Sequence, residues 1–349
     1  MTVCRMIQPE TLEEALEALA GERAMACAGA TNLYVDRRHG KYLDFDYVSL
    51  EHLTELRGIR READGWHIGS MTSFSELERC GIPFAGALVT AASQVGGPQI
   101  RNRGTVGGNI ISASPAADSV PPLLALDAVL RLVKAGGISR EVALKDFMKG
   151  PGRTDLRHGE LLAEVILPHK SGRSVFYKAG KRNALAISLC SCAVYMEERQ
   201  GAVGEIAVAL GSVAPTAVRA EKAEKVLAGT RLADLCRREL AEADKEAAAE
   251  VGKEAAAELA GEVSAEVGGE AAAEVAGEAS AELAGERPAG LASCAPACPA
   301  EPAFRERLRA ALMEDIAPIA DIRATAEYRR RIAFRMVLHN VTELWRCFE

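Results

Sequence analysis

Apolar residues recur at helical spacing near the start of the chain, where Leu12, Ala15, Leu16 and Leu19 form one stripe. Thr11 and Glu14 frame its first turn as a capping box and Gly21 stops it, which predicts a first helix. The spacing then shortens to that of strands over Ala24 to Ala28, Tyr47 to Leu50, Trp66 to Ser70, Val129 to Lys134 and Glu160 to Leu167. Between these lie a helical turn from Glu51, a helix capped by Ser73 that runs through Glu78, and a largely apolar helix from Phe84 to Val95. Pro121 and Pro122 suit the start of a helix that buries Leu123, Leu124 and Leu126. This mixed α/β texture closes near Pro168. From Ser174 the pattern changes to the long strands SVFYKAG, ALAISLCSCAVYMEE and EIAVALGSVA, then a helix from Ala220 to Ala228 that ends at Gly229. A final helix over about Asp321 to Trp345 is rich in arginine, which composition alone reads as a solvated basic face. The prediction is an α+β chain of two domains, 1–172 and 173–349, the second built on a three-stranded antiparallel sheet covered by helices.

Two loops interrupt this pattern with small residues. Ala26 to Leu33 reads ACAGATNL, and Gln99 to Pro122 reads QIRNRGTVGGNIISASPAADSVPP, with Gly104, Gly107 and Gly108 within five positions. Glycine permits positive φ and lets another molecule approach the backbone. A row of outward N–H groups is what an anionic phosphate needs. Neither loop matches G-x-G-x-x-G or G-x-x-x-x-G-K-[ST], so spacing alone gives two tight turns and only a weak case for two halves of a diphosphate site.

Composition adds one surprise. The chain has 349 residues, 48% hydrophobic and 26% charged, and a net charge of −7. Glu246 to Glu286 repeats an eight-residue unit five times (EAAAEVGK, EAAAELAG, EVSAEVGG, EAAAEVAG, EASAELAG), with eleven Glu against the single Lys253. That stretch carries −10, which leaves +3 for the remainder. Glu at every fourth position repels its neighbours and six glycines interrupt the run, so 243–300 reads as a low-complexity insert, a fraying helix or a disordered linker. Its alternative reading is an acidic arm for a basic partner.

The wording of the loops goes further than their spacing. AGATN at Ala28 to Asn32, QIRNRGTVGGNI at Gln99 to Ile110, SPAADSVPPLLALDA at Ser114 to Ala128 and FYKAGKRNALAIS at Phe176 to Ser188 occur in the order found in the FAD-binding subunits of molybdenum hydroxylases, a family the chain resembles over about Ile7 to Gly229 and Ile316 to Leu338. That group includes xanthine, nicotinate and aerobic carbon monoxide dehydrogenases. The resemblance implies a PCMH-type FAD-binding domain, similar to that of vanillyl-alcohol oxidase, in which two α/β subdomains clasp an extended FAD. It implies that Ala26, Cys27, Ala28, Gly29, Ala30, Thr31, Asn32 and Leu33 wrap the pyrophosphate from one side and Thr105, Val106, Gly107, Gly108 and Asn109 from the other. Asp118 would then accept hydrogen bonds from the adenosine ribose, and Leu162 and Lys178 would meet the cofactor near the second domain. The family often has a glycine at position 30; if that position needs positive φ, Ala30 costs about 1 kcal/mol.

The same residue types have plainer readings: an N-cap for Asp118, a surface lysine for Lys178, core for Leu162. The glycine loops offer no His for covalent attachment, so FAD is expected to bind non-covalently. Molybdopterin and two 2Fe–2S clusters are expected on partner subunits, and NAD⁺ or another compound as electron acceptor. The wording KRNALAIS points to xanthine or a related N-heterocycle as substrate of the complex. The alternatives are a scaffold subunit that has lost FAD and a stand-alone reductase like the UDP-N-acetylenolpyruvoylglucosamine reductases. Six scattered histidines show no metal-ligand spacing, and no side chain stands out as acid, base or nucleophile. Nine cysteines in a chain with no secretory pattern at its start suggest reduced thiols; Cys190 and Cys192 share one face of a strand, and Cys294 and Cys298 alone make a poor metal site. A cytoplasmic protein with neither membrane span nor nucleic-acid partner is expected.

Overall fold

A computed structural model describes residues 4–182, 185–231 and 302–348. The Glu246 to Glu286 repeat, Cys294 and Cys298 lie outside the described residues.

The first layer is a parallel three-stranded sheet of β1 (Met6–Ile7), β2 (Ala24–Cys27) and β3 (Asp46–Ser49), in the order β1-β3-β2. Helix α1 (Leu12–Leu19) crosses it, buries Ala15, Leu16 and Leu19, and is capped by the Thr11 hydroxyl on the Glu14 N–H. Only half of the expected capping box forms, because the Glu14 carboxylate accepts from the Glu10 N–H instead of reaching the N–H of Thr11. A short helix, α2 (Leu33–Arg38), follows β2.

The second layer is an antiparallel five-stranded sheet of β4 (Ile59–Arg61), β5 (Gly65–Gly69), β6 (Val129–Lys134), β7 (Ile138–Ala143) and β10 (Glu160–Pro168), ordered β4-β5-β10-β6-β7, beside a small hairpin of β8 (Met148–Gly150) and β9 (Arg153–Thr154). Polar strand β7 escaped the sequence reading because its positions are largely exposed and give no apolar run. Six short helices pack here: α3 (Phe74–Leu77), α4 (Gly86–Ser93), α5 (Pro98–Arg101), α6 (Val106–Ser112), α7 (Val120–Ala125) and α8 (Leu144–Phe147). Ser73 and Glu76 complete the capping box of α3.

The C-terminal sheet is antiparallel, β11 (Arg173–Gly180), β12 (Ser188–Arg199), β13 (Ala202–Gly211) and β14 (Val218–Arg219) in that order. The three expected long strands are present, and the two-residue β14 adds a fourth. Helices α9 (Glu221–Leu227), α10 (Pro302–Asp315) and α11 (Ala326–Arg346) follow. Alternation along these strands decides which neighbour each residue meets. Phe176, Ala193, Tyr195, Ala207 and Ala209 join one core with Leu88 of α4 and Leu123 of α7. Cys190, Cys192, Val194, Val208 and Leu210 face the other way and pack with Met336, Val337 and Leu344 of α11. One sheet is thus shared between the helices of the preceding layer and the chain's last helix. Burial pushes the Cys190 thiol up to about 12, and that of Cys192 well above its ordinary value.

The arginines of α11 are not all solvated, contrary to the compositional reading. Arg329 is 4% exposed. Its guanidinium donates to the carbonyls of Leu189 (2.7 Å) and Ser212 (2.6 Å) and to the Asp321 carboxylate (2.7 Å).

Candidate functional site

Strand β2 ends at Cys27 and delivers the first small-residue loop, 28–32, into the space before α2. Its glycine has a definite task. A Cβ on Gly29 would lie 1.6 Å from the Arg103 carbonyl oxygen and 3.2 Å from the Gly104 nitrogen, so only a hydrogen allows this loop to sit backbone-to-backbone against the second. Ala30 adopts φ +59, the left-handed conformation that the sequence raised as a condition. Among the described residues the N–H groups of Gly29, Ala30, Thr31 and Asn32 donate to no acceptor, whereas the Ala30 carbonyl accepts from the Tyr34 N–H at 3.0 Å. Successive open N–H groups around a left-handed residue are the arrangement that anion-binding backbone nests use. Neighbouring side chains are otherwise engaged: the Asn32 amide donates to Asp36 at 3.0 Å, and burial pushes the Cys27 thiol up, so it stays protonated. Leu33 opens α2.

The second loop behaves differently. Gly104 ends one turn, Thr105 is the N-cap of α6, and Gly107 and Gly108 fall inside the first turn of that helix. Its amides are already spent: Val106 donates to the Thr72 carbonyl (3.0 Å), Gly107 to that of Ser70 (2.9 Å), Asn109 to that of Thr105 (3.0 Å), and Gly108 to the Thr105 hydroxyl oxygen (3.1 Å). The expectation that both loops present free N–H groups is therefore corrected for Val106 to Asn109. Glycine here serves closeness. A Cβ on Gly107 would meet the Ser70 side chain at 2.7 Å, and one on Gly108 would stand 4.0 Å from that of Ala28. Thr105 accepts through its oxygen and so keeps its hydroxyl proton for another acceptor. Ala28, Gly29, Arg57, Ser73, Arg103 and Thr105 line an open cleft between the loops.

Asn109 links this cradle to a second cluster by accepting a hydrogen bond from the Ser119 hydroxyl at 2.7 Å. Asp118, 8% exposed, does not cap α7; Ser119 occupies the N-cap position. Instead the Asp118 carboxylate is paired with Lys178 Nζ at 2.6 Å and accepts from the Ser188 hydroxyl. Lys178 is no surface lysine: its side chain is 7% exposed, and it also donates to the Gln94 carbonyl at 3.1 Å. Burial pushes the Asp118 carboxyl above its ordinary value, against the pull of Lys178 and Ser188 toward the ionised form. Leu162, 2% exposed, stays in the core shared with Val106 and Ile110 of α6 and touches neither cluster as an open surface.

Polar atoms left over fit a bound polar group. The Ser70 hydroxyl beside Gly107 and the Ser191 hydroxyl opposite Lys178 are buried without a partner among the described residues.

The histidine reading is amended at one point. His67, fully buried, has Asp64 at 3.0 Å on Nε2 and Glu164 at 3.1 Å on Nδ1, with Glu62 nearby. Burial alone would lower its pKa, but its hydrogen bonds to the Asp64 and Glu164 carboxylates raise it. Both ring nitrogens are engaged by carboxylates, and Arg60 and Arg131 also pair with Glu164, which makes this an ionic network.

The chain is similar to known proteins along most of its length. Residues 2–170 match the family described as the FAD binding domain in molybdopterin dehydrogenase, and residues 175–283 that described as the CO dehydrogenase flavoprotein C-terminal domain. The chain is 36% identical over 222 residues to the xanthine dehydrogenase FAD-binding subunit of Escherichia coli O157:H7, covering 62% of this chain and 76% of that one. It is 38% identical over 193 residues to the nicotinate dehydrogenase FAD-subunit of Eubacterium barkeri, covering 52% and 64%. Its fold is similar to that of a chain from carbon monoxide dehydrogenase of Hydrogenophaga pseudoflava, with a TM-score of 0.74 at 24% identity over 98% of this chain and 97% of the other.

Proposed function

The chain belongs to the family of FAD-binding subunits of molybdenum hydroxylases, and from that membership we propose that it is the flavin-carrying electron-transfer subunit of an oxidoreductase complex, receiving electrons from a 2Fe–2S subunit that a molybdopterin subunit feeds, and passing them to NAD⁺ or another acceptor. Xanthine, hypoxanthine or a related N-heterocycle is the substrate class proposed for the complex, from the wording of Lys181 to Ser188 and the xanthine and nicotinate names of the relatives.

The observation that carries the reading is the run of free N–H groups from Gly29 to Asn32, held against Arg103 and Gly104. These donors would bind the diphosphate, with the spare hydroxyl proton of Thr105 from the other side. Asp118, oriented by Lys178 and Ser188, would accept hydrogen bonds from ribose hydroxyls. Lys178 lies on β11, on the C-terminal sheet, so the second cluster spans both domains. Bound FAD supplies the redox chemistry, converting single electrons into a two-electron transfer. The chain's contribution is to bind, orient and desolvate.

Purification of the chain and an absorbance spectrum test this directly. The expected result is a yellow protein that releases FAD into the supernatant on heating, with no iron–sulfur absorbance. Flavin that stayed with the precipitate would overturn non-covalent attachment. A colourless chain that takes up no added FAD would put the scaffold reading in its place.

A further inference from the structure

The Asp118 cluster is completed from the far end of the chain. Arg329, in the first turn of α11, clamps the carbonyls of Leu189 and Ser212 with one nitrogen and reaches Asp321 with another. Ser212 has φ +61, a left-handed conformation strained for a non-glycine residue, so the surroundings must hold it. Three bonds do so: its N–H donates to the Pro115 carbonyl (2.9 Å), its carbonyl accepts from Arg329, and its hydroxyl donates to the Ser188 carbonyl (3.1 Å). Ser188 in turn donates its hydroxyl to Asp118. The hydrogen bonds run without a break from Arg329 through Ser212 and Ser188 to the carboxylate.

The geometry points to Arg329 as a positioning residue for Asp118. It rests on the reading that Asp118 receives the adenosine ribose, and extends that site to a helix beyond the repeat. Asp321 is the one carboxylate within ion-pair distance of Arg329 among the described residues, and its own pKa is held low, against burial, by the N–H groups of Arg323 and Ala324 and by Arg329. The guanidinium therefore stays in place across the physiological range. Its reach matters more than its charge, because two carbonyls and a carboxylate are met at once by a planar fork.

A double-mutant cycle in the full chain tests this, using FAD itself as probe and quenching of its fluorescence as readout. Arg329→Gln and Ser188→Ala are each expected to weaken FAD binding about tenfold, and the pair by no more than the worse single change, because both act through one carboxylate. Arg329→Lys is expected to recover only part of the loss. Multiplication of the two effects, to about a hundredfold, would overturn the inference while leaving the flavin reading intact. Absence of FAD binding by the unmodified chain would overturn both. Should Arg329→Gln fail to fold, Arg329→Lys with Ser188→Ala forms the same cycle, and multiplication of the two effects there is equally fatal.

Discussion

The two small-residue loops look alike in sequence and differ in use. Residues 29–32 leave four N–H groups free, whereas the amides of 106–109 are consumed by Thr72, Ser70 and Thr105. The first loop keeps its amides open, and the second spends them on its own helix and its neighbours. The lesson is that glycine can serve two ends in one site: at Gly29 it permits backbone contact that leaves its neighbours' donors unspent, and at Gly107 it lets a helix start against Ser70.

The largest effect expected is at that contact. Gly29→Ala must displace the main chain of Arg103, which has no flexible end to move, and we expect overpacking of about 3 kcal/mol and complete loss of FAD from the purified protein. Gly108→Ala would bring a Cβ to 3.0 Å from the Thr105 hydroxyl oxygen, a side-chain contact milder than the main-chain clash at Gly29, and is expected to weaken FAD binding without abolishing it. Equal loss in both, read by flavin content and thermal melting, would break the distinction.

Next comes a change outside both loops. His67→Gln removes a charged hydrogen-bond partner of Glu164, at a cost of about 1.5 kcal/mol. Because the His67 pKa is raised in the fold, its contribution is full below the unfolded value of about 6.5 and fades as pH rises through the folded one. Glu164 is opposite in sign: burial is outweighed by Arg60 and His67, its pKa is held low, and its contribution fades as pH falls. Melting curves between pH 5 and 9 should show a decline on the alkaline side that His67→Gln flattens, with FAD affinity unchanged. A parallel fall in FAD affinity would mean that the cradle is not independent of this network.

Thr105→Val removes the cap of α6 and is expected to cost about 1 kcal/mol of stability, together with about tenfold in FAD affinity from the lost hydroxyl. If only stability fell, the second loop would be a wall and nothing more. The smallest change is a gain: Ala30→Gly relieves φ +59 and should raise stability by about 0.5 kcal/mol without altering the free donors. A lower melting temperature would show that the left-handed residue is not strained.

Much of the cradle was legible. The glycines, the caps at Thr11 and Ser73 and the strand that feeds the first loop are written in short-range signals. Helix α6 was not, because two glycines in its first turn are poor helix formers, and Thr105 alone marks its start. Strand β7 was missed because, lying mostly exposed, it shows no apolar alternation, although it pairs with β6 along its length.

By itself the sequence determined the local events: which segments alternate, where helices begin, that Cys190 and Cys192 share a face, and that the two loops carry the wording of a flavin-binding family. Those follow from hydrogen bonds and periodicities within a few residues. Tertiary structure alone decided that Gly29 meets Arg103, that Asp118 is paired with Lys178 sixty positions away instead of capping a helix, and that one arginine of a basic-looking helix is buried under two carbonyls. Such pairings depend on sheet register and helix packing over the whole chain, and no local pattern encodes which distant carbonyl or carboxylate a buried charge will find.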